Sequence, residues 1–300
     1  LQHRAIGGVR PERLPAGVQT STRVAPVVHG MGLIEAIEAS DLLRLADPDD
    51  RDGDGISGRP NCVPVPNFPA QDPWLARVIE DSADFCGPGT MMGRFGLKSN
   101  NASLLQQVVG AYQQDMGITS EFAPEEPNAA AFGGAVPGDL VPEPEISSSE
   151  VQLTTSYVRM LAPPAQGDIL AVGANLFSEL GCDTCHTPQQ ETGSSIVPAL
   201  ADKTISPYSD FLLHDMGDAL ADGRPDESAT GREWRTTPLW GLRIKGNFTG
   251  GTPYYLHDGR TSDLHQAIVL HGGEALASRE AYETLSAAEQ AILRDFVGAL

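Results

Sequence analysis

What these 300 residues lack is the first guide to what they do. No run approaches the roughly 20 consecutive apolar residues that a membrane helix needs, so no membrane span is expected. The opening stretch, LQHRAIGGVRPERLPAG, has no apolar core of a signal peptide and does not begin with Met. The expectation is a processed or truncated product with a segment missing upstream. Positive charge is scarce: 20 Lys and Arg stand against 40 Asp and Glu, a formal net charge of −20. Such a chain repels nucleic acid and anionic membrane surfaces; small ligands or basic partners fit it better. Strand-like alternation is weak throughout, and no short repeat of fixed period occurs. Cysteine is scarce too, with four residues. Two of them form one C-x-x-C, and no second such pair or H-x-x-x-H completes a four-ligand zinc site.

What is present points to helices held among loops. Hydrophobic residues make up 40% of the chain, enough for a packed core, while 32 Gly and 23 Pro demand many turns. Residues 30–48 carry a helical apolar stripe broken at Ser40, which is placed to cap a second short helix. Residues 74–83 and 102–115 read as helices. Residues 119–147, rich in Pro, Gly and acid, read as a long surface loop or flexible connection. A Ser-capped helix over 147–164 ends at a Pro stop, and LAPPAQGD reads as a linker. A boundary near residue 164 therefore divides the chain into 1–163 and 164–300. The second part opens with the helix ILAVGANLFSEL and closes with SAAEQAILRDFVGAL. Both parts end in helices of similar type, which hints at two related domains.

The opening helix of the second part runs directly into GCDTCH, residues 181–186. C-x-x-C-H is the attachment motif of c-type haem. Two thiols add to the haem vinyl groups, and the adjacent His lies beneath the iron as proximal ligand. The competing readings are half a zinc site and a redox dithiol. The dithiol requires a strand leading into the motif, and here a helix leads in. The reading is covalent haem on Cys182 and Cys185 with His186 on iron. The opposite axial position then falls to His214, Met216, His257, His265 or His271, with Met160 behind them. His271 ends a short helical run before Gly272 and Gly273, which permit close approach to a ring. His257 is placed for a contact with the ligand's periphery. Arg235 and Arg260 are suited to its propionates, or are ordinary surface charges. Trp234, Trp240, Tyr254 and Tyr255 are expected first as pocket packing.

Several stretches together resemble the bacterial di-haem oxidoreductases related to di-haem cytochrome c peroxidases. They are APVVHGMGLIEAI, ADPDDRDGDGISGR, MGRFGLKSNNASLLQQVVGAYQQDMGITS, FLLHDMGDALADGRPDESATGREWRTTPLWGL and YYLHDGRTSDLHQAIVLHGGEA, with GANLFSELGCDTCHTP in the second part. The resemblance implies a mostly α protein of two cytochrome c-like domains with long loops. It implies a haem oxidoreductase in which the haem of 164–300 accepts electrons from a small redox donor protein. A peroxide-like oxidant is then reduced at a second haem, expected upstream, since the family's first C-x-x-C-H is missing here. The fourteen-residue spacing from His257 places His271 as distal ligand, giving a bis-His haem. Gln107 and Asp115 match the positions of a Gln and a Glu over the peroxide-reacting haem, where the carboxylate moves a proton between peroxide oxygens. A non-enzymatic electron carrier with one bis-His haem is the alternative, since filled axial positions leave no room for substrate on iron.

Two features stand beside this. Asp50, Asp52 and Asp54 alternate before Gly55, as oxygen ligands do where a loop wraps Ca²⁺, although Asn61 stands where an EF-hand wants Glu. An ordinary acidic turn is the other reading. Haem c is attached outside the bacterial cytoplasm, so a periplasmic or secreted location is expected. A Cys62–Cys86 bridge is then reasonable, against a pair of free buried thiols.

Overall fold

The computed structural model describes residues 16–68, 73–127, 141–168, 170–195 and 197–300. Most of the turn-rich opening and the middle of the 119–147 segment lie outside them. The apolar stripe of residues 30–48 forms two short helices, α1 (Met31–Ala36) and α2 (Ala39–Leu43). The break falls at Ile37 and Glu38, which are extended, rather than at Ser40. Buried Arg94 accounts for it: its guanidinium donates to the carbonyls of Ile34, Glu35 and Ile37 at the end of α1, where intrahelical donors run out.

Strand β1 (Cys62–Pro64) pairs antiparallel with β2 (Thr90–Met92), and α3 (Pro73–Cys86) lies between them in sequence. A Cys62–Cys86 disulfide ties the start of β1 to the end of α3. Next comes α4 (Leu104–Gly110), whose first turn is capped by the Ser103 side chain on the Gln106 N–H. It continues as a π-helical turn over Ala111–Met116. Helix α5 (Ser148–Arg159) starts in a reciprocal Ser147–Glu150 capping box.

After α6 (Ala171–Glu179) a 3₁₀ turn spans Cys182–Thr184. Two further antiparallel pairs follow, β3 (Gln190–Glu191) with β4 (Thr204–Ile205), and β5 (Leu213–Asp215) with β6 (Glu233–Arg235). The chain closes with α7 (Leu264–Val269), α8 (Leu276–Thr284) and α9 (Ala287–Ala299), the last behind a Ser286–Glu289 capping box. The architecture is therefore mixed rather than mostly α. Strands of two or three residues are too short to show alternation, which is why the sequence pattern misses them.

The largest apolar cluster draws on both sides of residue 164. Met31, Ile34, Met92 and Leu104 pack with Phe211, Leu212 and Trp240. Buried polar contacts cross the same line. Lys98, fully buried, pairs with Asp222 at 2.9 Å, and Arg235 donates to the Arg94 carbonyl at 2.8 Å. A second cluster forms where α6 crosses α9. Gly173 permits that crossing, since a Cβ there would lie 2.4 Å from Phe296 Cβ. Among the described residues, no helix is long and apolar enough to cross a membrane.

Candidate functional site

One cavity of about 280 Å³ collects most of the chemistry-bearing side chains of the second part. The chain leaves α6 through Gly181, whose φ of +72° is a left-handed turn that favours glycine. The 3₁₀ turn then brings Cys182, Cys185 and His186 to the cavity wall. A neighbouring segment pins this turn, because Asp210 N–H donates to the Cys185 carbonyl and Ser209 N–H to that of Thr187. Tyr208 takes a left-handed φ of +54°, uncommon for an aromatic residue, and its carbonyl accepts from His186 Nδ1 at 3.0 Å. The Nδ1 proton leaves the lone pair on Nε2. Burial lowers the His186 pKa to about 4, so the ring is neutral above that pH.

His271 stands at the end of α7 and lines the same cavity. Its Nδ1 donates to the Ala267 carbonyl at 2.8 Å, one turn back. This again fixes the proton on Nδ1 and the lone pair on Nε2, and burial again lowers the pKa. A backbone carbonyl that holds one ring nitrogen while the other stays free is the usual outer support of a metal-binding imidazole. Cys182 and Cys185 are unbridged. Burial first, then Asp183, raises the Cys182 thiol to about 12, and burial raises Cys185 as well. Reactive dithiols need the opposite shift, so the pair is poorly suited to thiol–disulfide exchange.

The other candidates separate by geometry. Met216 lines the cavity, and its carbonyl abuts Gly272, where a Cβ would come within 3.1 Å. His214 also lines the cavity, but both its ring nitrogens face carboxylates, Asp210 at 2.8 Å and Glu274 at 2.7 Å. Burial opposes the charged form, yet these hydrogen bonds raise its pKa well above the ordinary value. No lone pair is left for iron. His265 bonds Tyr282 Oη and lies off the cavity wall; Met160 is exposed. His257 lines the cavity and stacks on Trp234, with ring centroids 3.7 Å apart and an interplanar angle of 11°. Lys98 Nζ lies 4.4 Å from the centre of the same indole.

Two cations have no acid partner here. Arg235 is 7% exposed and lines the cavity, with a buried Nε that meets no acceptor, and burial lowers its pKa to about 10. Lys245 lines the cavity, its pKa lowered by burial, with no ion-pair partner among the described residues. Arg260 is instead committed to Asp258 and the Ala219 carbonyl. Apolar walls, two thiols, two neutral imidazoles and two unmatched cations suit a flat apolar macrocycle that carries carboxylates. The residues fit a haem.

Other expected site residues lie elsewhere. Gln107 is half-buried and accepts from Asn101 Nδ2 at 3.1 Å; Asp115 is exposed in the π-helical turn. Neither lines the cavity. Asp50, Asp52 and Asp54 do gather on one exposed loop, with one oxygen from each within 4.8 Å of the others. Tyr208, Asp210, Glu274 and Lys245 escaped sequence reasoning. Only the last carried a signal, as a base in an apolar stretch of an acidic chain.

Comparison with known families matches residues 7–300 to one family, described as di-haem oxidoreductase, putative peroxidase. No curated protein and no solved structure matches the chain.

Proposed function

From the premise that the chain belongs to the di-haem oxidoreductases, we propose that residues 164–300 hold one covalent haem c. Cys182 and Cys185 would anchor it, and His186 and His271 would ligate its iron. The observation that carries this reading is the matched pair of imidazoles. Both line one cavity with the two thiols, and both have Nδ1 tied to a backbone carbonyl. Bound haem supplies one-electron redox chemistry, and bis-His ligation favours a lower potential than His/Met ligation. The protein's part is to hold both imidazoles neutral, to exclude water with apolar walls, and to offer Arg235 and Lys245 to the propionates. His257, stacked on Trp234, borders the same space. The packing of α6 on α9 beside the C-x-x-C-H turn supports a cytochrome c-like reading of this part. Residues 1–163 are its companion domain.

In this reading the haem accepts electrons from a small redox protein, and the acidic surface favours a basic one. Peroxide reduction belongs to a second haem, as the di-haem family implies, with Asp115 as the proton-moving carboxylate and Gln107 beside it. The Cys62–Cys86 bridge supports a periplasmic or secreted location. The gathered oxygens of Asp50, Asp52 and Asp54 support a Ca²⁺ loop. A second reading, a non-enzymatic electron carrier, is favoured by the two neutral imidazoles on one cavity, which would fill both axial positions of a haem and leave none for substrate.

The test is a haem stain of the denatured full-length product, with a visible spectrum and a haem-to-protein ratio. A retained, low-spin haem lost in Cys182→Ala/Cys185→Ala supports the site, and an unstained band refutes it. A ratio of two with peroxide turnover supports the peroxidase. A ratio of one without turnover supports the carrier.

A further inference from the structure

His214 is a buried ring held between two carboxylates. Nε2 lies 2.8 Å from Asp210 Oδ2 and Nδ1 lies 2.7 Å from Glu274 Oε2. An ionised carboxylate accepts hydrogen bonds and has none to give, so both ring nitrogens donate and the ring is an imidazolium. Glu274 accepts three further hydrogen bonds, from Ser57 N, Ser57 Oγ and Asp215 N. Asp210 Oδ1 accepts from Leu212 N. One imidazolium with two carboxylates carries a net charge of −1.

This triad touches both ligand-bearing segments. His214 Nδ1 is 3.7 Å from Cys185 Sγ, and Asp210 N–H donates to the Cys185 carbonyl at 3.0 Å. Cys185 directly precedes His186. Glu274 stands three residues beyond His271. The two segments are far apart in sequence and meet through one charged ring.

We propose that His214 is a positioning residue for a haem held between His186 and His271, an imidazolium strut that joins the two ligand-bearing segments and sets the haem's reduction potential by its fixed charge beside the Cys185 anchor. The proposal rests on the haem reading above. Its signature is a pair of shifts of opposite sign. Without the imidazolium the triad carries −2, which favours ferric iron and lowers the potential. Without the Glu274 charge it carries zero, which raises the potential. Mere damage to packing has no reason to move two variants in opposite directions.

The experiment is a redox titration of the full chain, with haem attached, as wild type, His214→Gln and Glu274→Gln. Each variant is expected to change the ferric-to-ferrous ratio at fixed poise about tenfold, which is ~59 mV for a one-electron couple. The shift is downward in H214Q and upward in E274Q. H214Q is also expected to gain a high-spin fraction as His271 loosens. Unchanged potentials, or shifts in one direction, overturn the proposal. If H214Q fails to load haem, E274Q decides alone: a rise supports the strut, and no change or a fall overturns it. A wild-type chain without covalent haem removes the underlying reading, and the strut with it.

Discussion

Gly30→Ala tests whether the cavity wall is built on contacts as close as the geometry indicates. Gly30 precedes α1 with φ +74°, and a Cβ there would lie 2.4 Å from Trp240 Cζ2 and 2.9 Å from Cε2. Trp240 is 4% exposed and has little room to retreat. Two costs therefore add. The left-handed backbone penalises any L side chain by about 1–2 kcal/mol. Forcing a methyl into a packed wall costs about 1–3 kcal/mol more. The total is about 2–5 kcal/mol. Gly250 is a matched control: its φ is +70° and a Cβ there would meet nothing within 4 Å. Gly250→Ala should show the backbone cost alone, about 1–2 kcal/mol. Urea unfolding of both variants, with unchanged m-values, isolates the steric part by subtraction. Gly241→Ala provides a second instance from the other side, since its Cβ would meet His29 Nε2 at 2.5 Å. Equal losses at Gly30 and Gly250, within about 0.5 kcal/mol, would refute the reasoning, because mutant differences of that size are ordinary surface noise.

Two further outcomes follow from the same structure. Burial alone would raise the Glu274 pKa, but hydrogen bonds from His214, Asp215 N–H and Ser57 hold it down to about 2 against an ordinary 4.5. A depressed carboxylate contributes stability that is fully present above the unfolded value and lost as pH falls through the folded one. Between pH 4.5 and about 2 the wild type should thus lose about 3 kcal/mol that Glu274→Gln never had. Urea melts of both across that window check this, and parallel curves would count against it. Removing the Cys62–Cys86 bridge as Cys62→Ser/Cys86→Ser opens a loop of 24 residues and should cost about 3 kcal/mol. Oxidised and reduced melts of the wild type should differ by a similar amount, while the double variant should not respond to reductant.

The residues legible in the sequence are those whose chemistry is local. C-x-x-C-H specifies its own geometry within five residues, and Cys182, Cys185 and His186 come to the cavity together. The Ser cap of α5 was readable for the same reason: a hydroxyl and a Glu three residues on form a closed hydrogen-bond unit, and α9 repeats it. His271 was singled out by the family resemblance, and its ring lines the same cavity. The misses depend on distant partners. The end of α1 is dictated by Arg94, some 60 residues away, which takes the carbonyls that would have continued the helix. His214 looks like any candidate ligand until Asp210 and Glu274 are seen on its two nitrogens. Tyr208 gives no sign of a left-handed φ, because only the surrounding fold imposes it. The helix expected over 102–115 is α-helical only to Gly110, and the π-helical turn beyond it carries Asp115 to an exposed position.

The sign of the ligand follows from where this acidic chain leaves its bases. With 40 acids to 20 Lys and Arg, a base has many partners to choose from. Most of the buried or half-buried ones have taken them. Arg23 holds Asp222 and Asp226, Arg59 holds Glu233, Arg159 holds Glu35, and Lys98 holds Asp222. Arg94, Arg294, Arg235 and Lys245 have no ion pair among the described residues, and of these only Arg235 and Lys245 line the cavity. Burial lowers the pKa of each; the nearby charge of Asp210 opposes this in part at Arg235, and neither cation has an ion-pair partner among the described residues. A neutral guest would leave both without one. A guest with two carboxylates on one edge and an apolar face on the other would pair both cations while filling the apolar walls. The same balance bears on His214. Its carboxylates already exceed its charge by one, so the triad's net charge disfavours a further anion beside it. In the haem reading proposed above, the propionates are the groups that would meet Arg235 and Lys245.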